Sequence, residues 1–481
     1  MAKEELTALL EDIEAKRPHT VTASTVPTPT LEYRAHKRLM RAANPITAAG
    51  PIPGPTIPIP IPVLVGPRVL LWKQDPSVAE IGIRKAFLPR PVSTGPRDAR
   101  INTTVAGMTP VVANSLGDFI QTPLTAEFDA VHTFAVVRQT LTMYQRALAA
   151  GNTLATIPWR WNSPTNSDPI QVFPRHSQMQ NAFYSPGQKL LAFGHFLQGT
   201  TQIFTCRSLD IVAHETGHAV LDGLKPNWIA STNPQTGGLH ESFGDLSAIF
   251  LALSQLDQVE AVIAQTKGNL HDKTFLADLA EQFGLALGRP NGLRNADNDL
   301  RLSQVGTEVH SISQVFTGAI YDILADIYGF ERRTVKDDAV VLLETGRYVL
   351  SLVIRAIVAS PNSNATYADV ANQMLLIANA DGKPVDYRNF IRNRFTVREV
   401  AGISPTPLTA DAAPNLQLEE SDASRALANV TGDRTGCCGT MMLPENTGVE
   451  ALIEEELTAF RDALKSDVAA RSRTTVAKEK K

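Results

Sequence analysis

The hydrophobic positions change period several times along the 481-residue chain, and each change marks an expected element. Over residues 4–16, Leu6, Leu9, Leu10 and Ile13 recur at helical spacing and predict a short amphipathic helix. A Thr/Pro-rich stretch follows. From Asn44 to Pro67 the run "NPITAAGPIPGPTIPIPIPVLVGP" is punctuated by proline, which has no backbone N–H, so it is read as extended or polyproline-like. Its Ile57, Ile59, Ile61, Val63 and Leu64 gain only by covering apolar surface, at ~25 cal/mol per Å². The segment is therefore expected to lie against the folded body.

From about residue 100 the patterns sharpen. "AEFDAVHTFAVVRQTLTMYQRALAAGN" has helical spacing and ends at a glycine, while "PIQVFPRHSQMQNAFYSPGQKLLAFGHF" is rich in β-formers and predicts a hairpin turning at "SPGQ". Three long helical patterns follow, around 208–223, over 239–264 and over 310–328. "DDAVVLLETGRYVLSLVIRAIVAS" and "TYADVANQMLLIANA" continue the helical region. Beyond 404 the composition loosens, before a candidate helix over 449–465. No internal repeat is visible. The expected organisation is an N-terminal extension over 1–99, a lobe over 100–225, a helical lobe over 226–404 and a C-terminal extension over 405–481.

Composition narrows the function. The length allows two or three lobes with sizeable cores, enough for a full enzyme. A net charge of -4 and a pI near 6.2 provide no global basic field, which argues against nucleic acid as the main partner. The charged start "MAKEELTALLEDIEAKRPHT" does not read as a secretory signal, and no run approaches the ~18 apolar residues of a membrane span. No membrane partner is expected. The expected location is cytoplasmic, or exported by a route without a cleavable signal peptide. Cys206, Cys437 and Cys438 form neither a disulfide framework nor a Cys-zinc signature.

The chemistry concentrates in "SLDIVAHETGHAVLDGL". Residues i and i+4 share a helix face, so His214 and His218 can offer two imidazole nitrogens to one ion, with Glu215 beside them. A histidine pair alone is more often a satisfied surface or core pair. Here Leu209, Ile211, Val212, Val220 and Leu221 predict a largely buried helix, and burying that much polarity calls for a compensating partner. A catalytic zinc takes three protein ligands and keeps one position open. Glu241, in "GGLHESFGDLSAIF", is the candidate third ligand, with Asp245 four residues on.

Together these motifs resemble the thermolysin family of zinc endopeptidases, in which HExxH is followed some twenty residues later by a glutamate ligand and then an aspartate. "NAFYSPGQKLLAFG" resembles the family's substrate-binding edge strand, "EVHSISQVFTGAIYDILADIYG" the segment with its second active-site histidine, and "GLRNADND" the segment with its cleft arginine. The resemblance spans roughly 100–404. It implies an α+β, two-lobed metallopeptidase with a β-rich N-terminal lobe, a mainly helical C-terminal lobe, and the zinc site in the cleft between them. It further implies zinc on His214, His218 and Glu241, with Glu215 as general base and His310 as a donor to the developing oxyanion. Asp245 would orient a zinc histidine, while Asn181, Ala182 and Arg294 would bind a protein or peptide substrate. Ile211 and Leu293, at pocket positions, imply a large apolar residue on the primed side.

The chain also departs from the family. His240 stands where asparagine is usual, Trp228 or a neighbour fills the slot of an oxyanion-binding tyrosine, and Glu308 is the nearest carboxylate to His310 in place of the usual aspartate. Asp210 matches a calcium position, but Ala252 stands where its acidic partner is expected, which argues against the family's Ca2+ cluster. Two other readings compete: a non-catalytic scaffold stabilised by zinc, in which Glu215 would have no use as a base, and zinc hydrolysis of a non-peptide bond. With no room for a long prodomain, the proline-rich segment has two expected places. It packs on the outside of the lobes, or it occupies the substrate cleft and imposes latency.

Overall fold

The computed structural model describes residues 66–89, 91–149, 157–280, 294–332 and 336–404. The helix expected over 4–16, the proline-rich segment up to residue 65, Leu293, the glycine expected to stop the helix near 150 and the helix expected over 449–465 lie outside the described residues.

The protein is mixed α+β. Strands β1 (Arg68–Trp72) and β2 (Ile83–Phe87) pair antiparallel, and Val69 and Leu71 are buried in the main core. The described body already has core strands at residue 68. A four-stranded sheet has the order β3-β4-β6-β5, from β3 (Ile101–Thr103), β4 (Ile170–Phe173), β5 (Ala182–Ser185) and β6 (Leu190–Phe193). The expected hairpin is the antiparallel β5–β6 pair, turning at residues 186–189. Ile170–Phe173 joins it through a parallel pairing of β4 with β6, which no local turn signal could announce. Strands β7 (His195–Gln198) and β8 (Thr201–Phe204) form a separate hairpin, and β9 (Asp278–Leu279) pairs with β10 (Arg294–Asn295).

Helix α1 (Ala126–Ala149) carries Glu127 and Asp129 in its first turn, where the helix dipole favours negative charge. It packs against α2 (Leu209–Leu224), the helix bearing the histidine pair. Helix α3 (Pro234–Leu253) starts with Asn233 accepting from the Gln235 N–H and with proline in its first turn. It is buried on almost every side, as an all-round apolar helix must be.

The single helix expected over 239–264 is two. After α3 the chain passes through extended Gln255 and starts α4 (Leu256–Thr266) at 93° to α3. The apolar period carries across the corner without glycine or proline, so nothing local marks a break there. Among the described residues no single helix is long and apolar enough to cross a membrane. Helix α5 (Val309–Glu331) packs on α3 and is followed by α6 (Asp338–Ala359), α7 (Tyr367–Ala380) and α8 (Val385–Val397).

Helices α2 and α3 cross closely because two glycines meet there. A Cβ on Gly217 would stand 3.2 Å from Gly244 Cα, and one on Gly244 would stand 2.6 Å from His214 Cε1. The Tyr144 and Ser247 hydroxyls, 2.7 Å apart, tie α1 to α3. This crossing brings the polar residues of both helices together.

Candidate metal centre

His214 and His218 project from one face of α2, with Glu241 and Asp245 facing them from α3. His214 Nε2 and His218 Nε2 are 3.0 Å apart, and each lies 3.6 Å from a Glu241 carboxylate oxygen. Tetrahedral zinc with bonds near 2.0–2.1 Å requires ligand atoms ~3.3 Å apart. All three separations lie within a few tenths of an ångström of that edge. Glu241 is fully buried and neither of its oxygens has a hydrogen-bond partner; imidazole edges face it, with Arg294 Nη1 3.9 Å from Oε2. An unprotonated carboxylate buried there calls for close positive charge, which a cation held between His214, His218 and Glu241 would supply. The residues present fit zinc.

The surrounding contacts set the tautomers. His214 Nδ1 lies 3.1 Å from Asp245 Oδ1, so a proton on Nδ1 is held and Nε2 is left with its lone pair. His218 Nδ1 lies 2.7 Å from His240 Nδ1, and the two rings stack with centroids 4.8 Å apart. His240 thus orients the His218 ring. For His218 to donate from Nδ1, His240 must accept there and carry its own proton on Nε2. Burial holds His240 down to about 4, so it stays neutral as this role requires.

Burial alone would strip the proton from His214, but the neighbouring Asp245 and Glu241 carboxylates hold it, and its pKa is pushed up to about 9 in the metal-free protein. Burial raises the Glu241 carboxyl, yet His310, His214 and His218 outweigh it and keep the acid well below the usual carboxylate range.

Glu215 follows His214 on α2 and is fully buried. His310 sits in the first turn of α5, with Nε2 3.4 Å from Glu241 Oε2 and Nδ1 2.5 Å from Glu308 Oε1. Glu308 is also the N-cap, accepting from the backbone N–H groups of His310 at 3.1 Å and Ser311 at 2.8 Å. One carboxylate two residues away therefore caps the helix and aims the imidazole. Burial disfavours charge on His310, but Glu241 and Glu308 overcome it and raise its pKa.

Two residues expected to meet substrate, Arg294 and Trp228, make contacts within the fold. Arg294 is buried, and its Nε and Nη2 approach Asp245 Oδ1 at 2.9 and 2.7 Å, with Nη2 3.3 Å from His214 Nδ1. The guanidinium braces the carboxylate that holds His214. Trp228 is also buried, and its indole N–H donates to the Pro361 carbonyl at 3.0 Å, so it is committed to fastening the α2–α3 connection. It has no second N–H for an oxyanion.

Asn181 and Ala182 lie at the start of β5, an edge strand of the four-stranded sheet. Asn181 Oδ1 accepts from the Ala182 N–H at 2.9 Å, so an incoming strand would have to displace that bond. Ile211, Ala248, Leu279 and Ala280 form a narrow apolar recess against His214 and Arg294.

Neither candidate for a further cation is persuasive. Asp210 accepts from the Ala280 N–H, and Ala252 is buried in the core, offering no ligand oxygen. His271, Asp297 and Asp322 also cluster, but Asp322 is met by Arg398 at 2.8 Å and Arg394 at 3.5 Å. Two guanidinium groups already balance that carboxylate and would repel a divalent ion.

No family model and no curated protein matches the chain. Among solved structures it is similar to the precursor of protealysin, a metalloproteinase from Serratia proteamaculans. That match has 15% identity over 66% of this chain and 90% of the other, with a TM-score of 0.40. A score that low carries no argument for fold or function.

Proposed function

We propose that this protein is a zinc-dependent endopeptidase of the thermolysin type. The observation that carries the reading is the convergence of His214 Nε2, His218 Nε2 and the donor-free Glu241 carboxylate at tetrahedral-edge separations. Bound there, zinc would polarise a substrate carbonyl and lower the pKa of a coordinated water to about 7.

The remaining work belongs to the chain's own side chains. Glu215 accepts the water's proton and passes it to the leaving nitrogen, a role that a purely structural metal site does not need. His310, aimed by Glu308, donates from Nε2 to the carbonyl oxygen as that oxygen gains charge. Asp245 and Arg294 together fix the His214 ring. The edge strand β5 takes the substrate backbone as an added strand.

The test is metal analysis of the purified protein combined with cleavage mapping on a denatured protein mixture. Zinc near one equivalent, with cuts clustered before large apolar residues, is the expected result. Zinc retained without any cleavage would establish the non-catalytic scaffold instead, and absence of zinc under metal-replete conditions would remove the site altogether.

A further inference from the structure

A second built cavity lies at the far end of the helix that bears Glu241. It is a cleft of about 350 Å³ between α1, the C-terminal end of α3, α6 and the end of β2. Leu251, which lines it, is ten residues beyond Glu241 on α3, ~15 Å along the helix axis. From α1 it receives residues 139, 142, 143, 146 and 147, one continuous helix face.

The cleft has an apolar floor and a cationic rim. Met143, Ala147, Leu251 and Leu350 are buried around it, while the Phe87 ring on its edge is 67% exposed. Arg146 and Arg347 both line it, and no carboxylate does. Neither arginine forms an ion pair among the described residues, in a chain whose net charge is -4. The Gln139 amide oxygen, shielded from solvent at the same cleft, has no hydrogen-bond partner, so this amide is free to turn its NH2 toward a ligand.

The hydroxyls there are already committed as donors: Thr142 bonds to the Arg138 carbonyl and Ser254 to the Leu251 carbonyl. The donors left over are the Gln139 amide and the ten guanidinium N–H groups of two arginines, whose forked geometry suits a carboxylate. The volume is that of a small-molecule site.

We propose that this cleft binds a small amphipathic anion, a carboxylate on an unbranched apolar chain, with the head between Arg146 and Arg347 and the tail over Met143, Leu251 and Leu350. The site is separate from the metal centre and stands whether or not the protein is a peptidase.

Isothermal titration of the full chain with octanoate, beside its uncharged analogue 1-octanol, tests both halves. Octanoate should bind saturably and octanol at least about tenfold more weakly, since a hydrogen-bonded charge pair is at stake. The double variant R146Q/R347Q, at two exposed helix positions, should weaken octanoate to the level of octanol while leaving the melting curve in place. Phe87→Ser should weaken both ligands alike. Equal binding of octanoate and octanol, undiminished octanoate binding in R146Q/R347Q, or no saturable heat with octanoate would each overturn the proposal.

Discussion

Replacing Gly244 by alanine tests the α2–α3 crossing on which the proposed metal centre depends. A Cβ at this position would stand 2.6 Å from His214 Cε1 and 2.7 Å from both ring nitrogens. Carbon contacts are comfortable only at ~3.5–4.0 Å, so the imidazole must retreat by ~1 Å. Metal ligands tolerate displacements of only ~0.2 Å. The retreat is several times that tolerance, and zinc affinity should fall ~10²-fold, equivalent to ~2.8 kcal/mol. Stability of the metal-free protein should change far less. Overpacking costs ~1–3 kcal/mol, while alanine regains ~1 kcal/mol of helix propensity over glycine. A net loss of ~0–2 kcal/mol is expected in urea denaturation. Gly329 in α5 provides the control, because a Cβ there meets nothing within 4 Å. Gly329→Ala should leave zinc binding intact and stabilise by up to ~1 kcal/mol. Competition against a chromophoric chelator reads both variants. If Gly244→Ala holds zinc as tightly as the parent protein, the ring does not occupy the ligand position assigned to it.

The remaining predictions concern turnover, pH and packing. Glu215→Gln should keep the fold and the zinc but lose ~10²-fold or more in turnover, and near-normal peptidase activity in this variant would exclude the general-base role. His310→Ala should lower kcat far more than it raises KM, because its donor is aimed at charge that appears only in the transition state; a change confined to KM would make His310 a substrate-binding residue only. Zinc affinity should rise with pH and level off near pH 9, since binding must displace the proton that metal-free His214 holds with a pKa of about 9. Conversely, a raised pKa means that this proton stabilises the metal-free fold fully below the ordinary imidazole value of 6.5 and ceases to do so as pH rises through about 9. A flat affinity from pH 6 to 9 would contradict both statements. Trp228→Phe should leave turnover unchanged and cost ~0.5–1.5 kcal/mol by removing the hydrogen bond from the buried indole to the solvent-exposed Pro361 carbonyl, which urea denaturation would show.

How far the sequence could be read depended on whether the signal was local. The helices at 126–149, 209–224, 309–331, 338–359 and 367–380 each carry an apolar period strong enough to place them. Helix 385–397 escaped because Arg388, Arg392 and Arg394 interrupt its apolar face, although Arg392 and Arg394 are buried. Strands 68–72 and 83–87 escaped because they follow a proline-rich run that masks their start. The parallel pairing of 170–173 with 190–193 is a tertiary choice with no turn to announce it. At the site, spacing alone joined His214 to His218. By contrast, the 2.7 Å contact of His240 with His218, the bracing of Asp245 by Arg294 and the dual use of Glu308 depend on how separate elements meet.

Gly217 and Gly244 show what that meeting demands. Two glycines inside buried helices each sacrifice ~1 kcal/mol of helix propensity relative to alanine. Two smooth apolar faces could pack without them at ordinary interhelical distance. Yet here His214, Glu215, His218, His240, Glu241 and Asp245 all lie buried on these two helices. Such burial is unfavourable for each group taken singly. The glycines close the gap until two imidazole nitrogens stand 3.0 Å apart and each lies 3.6 Å from one oxygen of the Glu241 carboxylate, and at that spacing one cation can satisfy all three side chains. The unfavourable choices at the backbone and at the side chains thus become intelligible together, as conditions for holding a metal ion between α2 and α3.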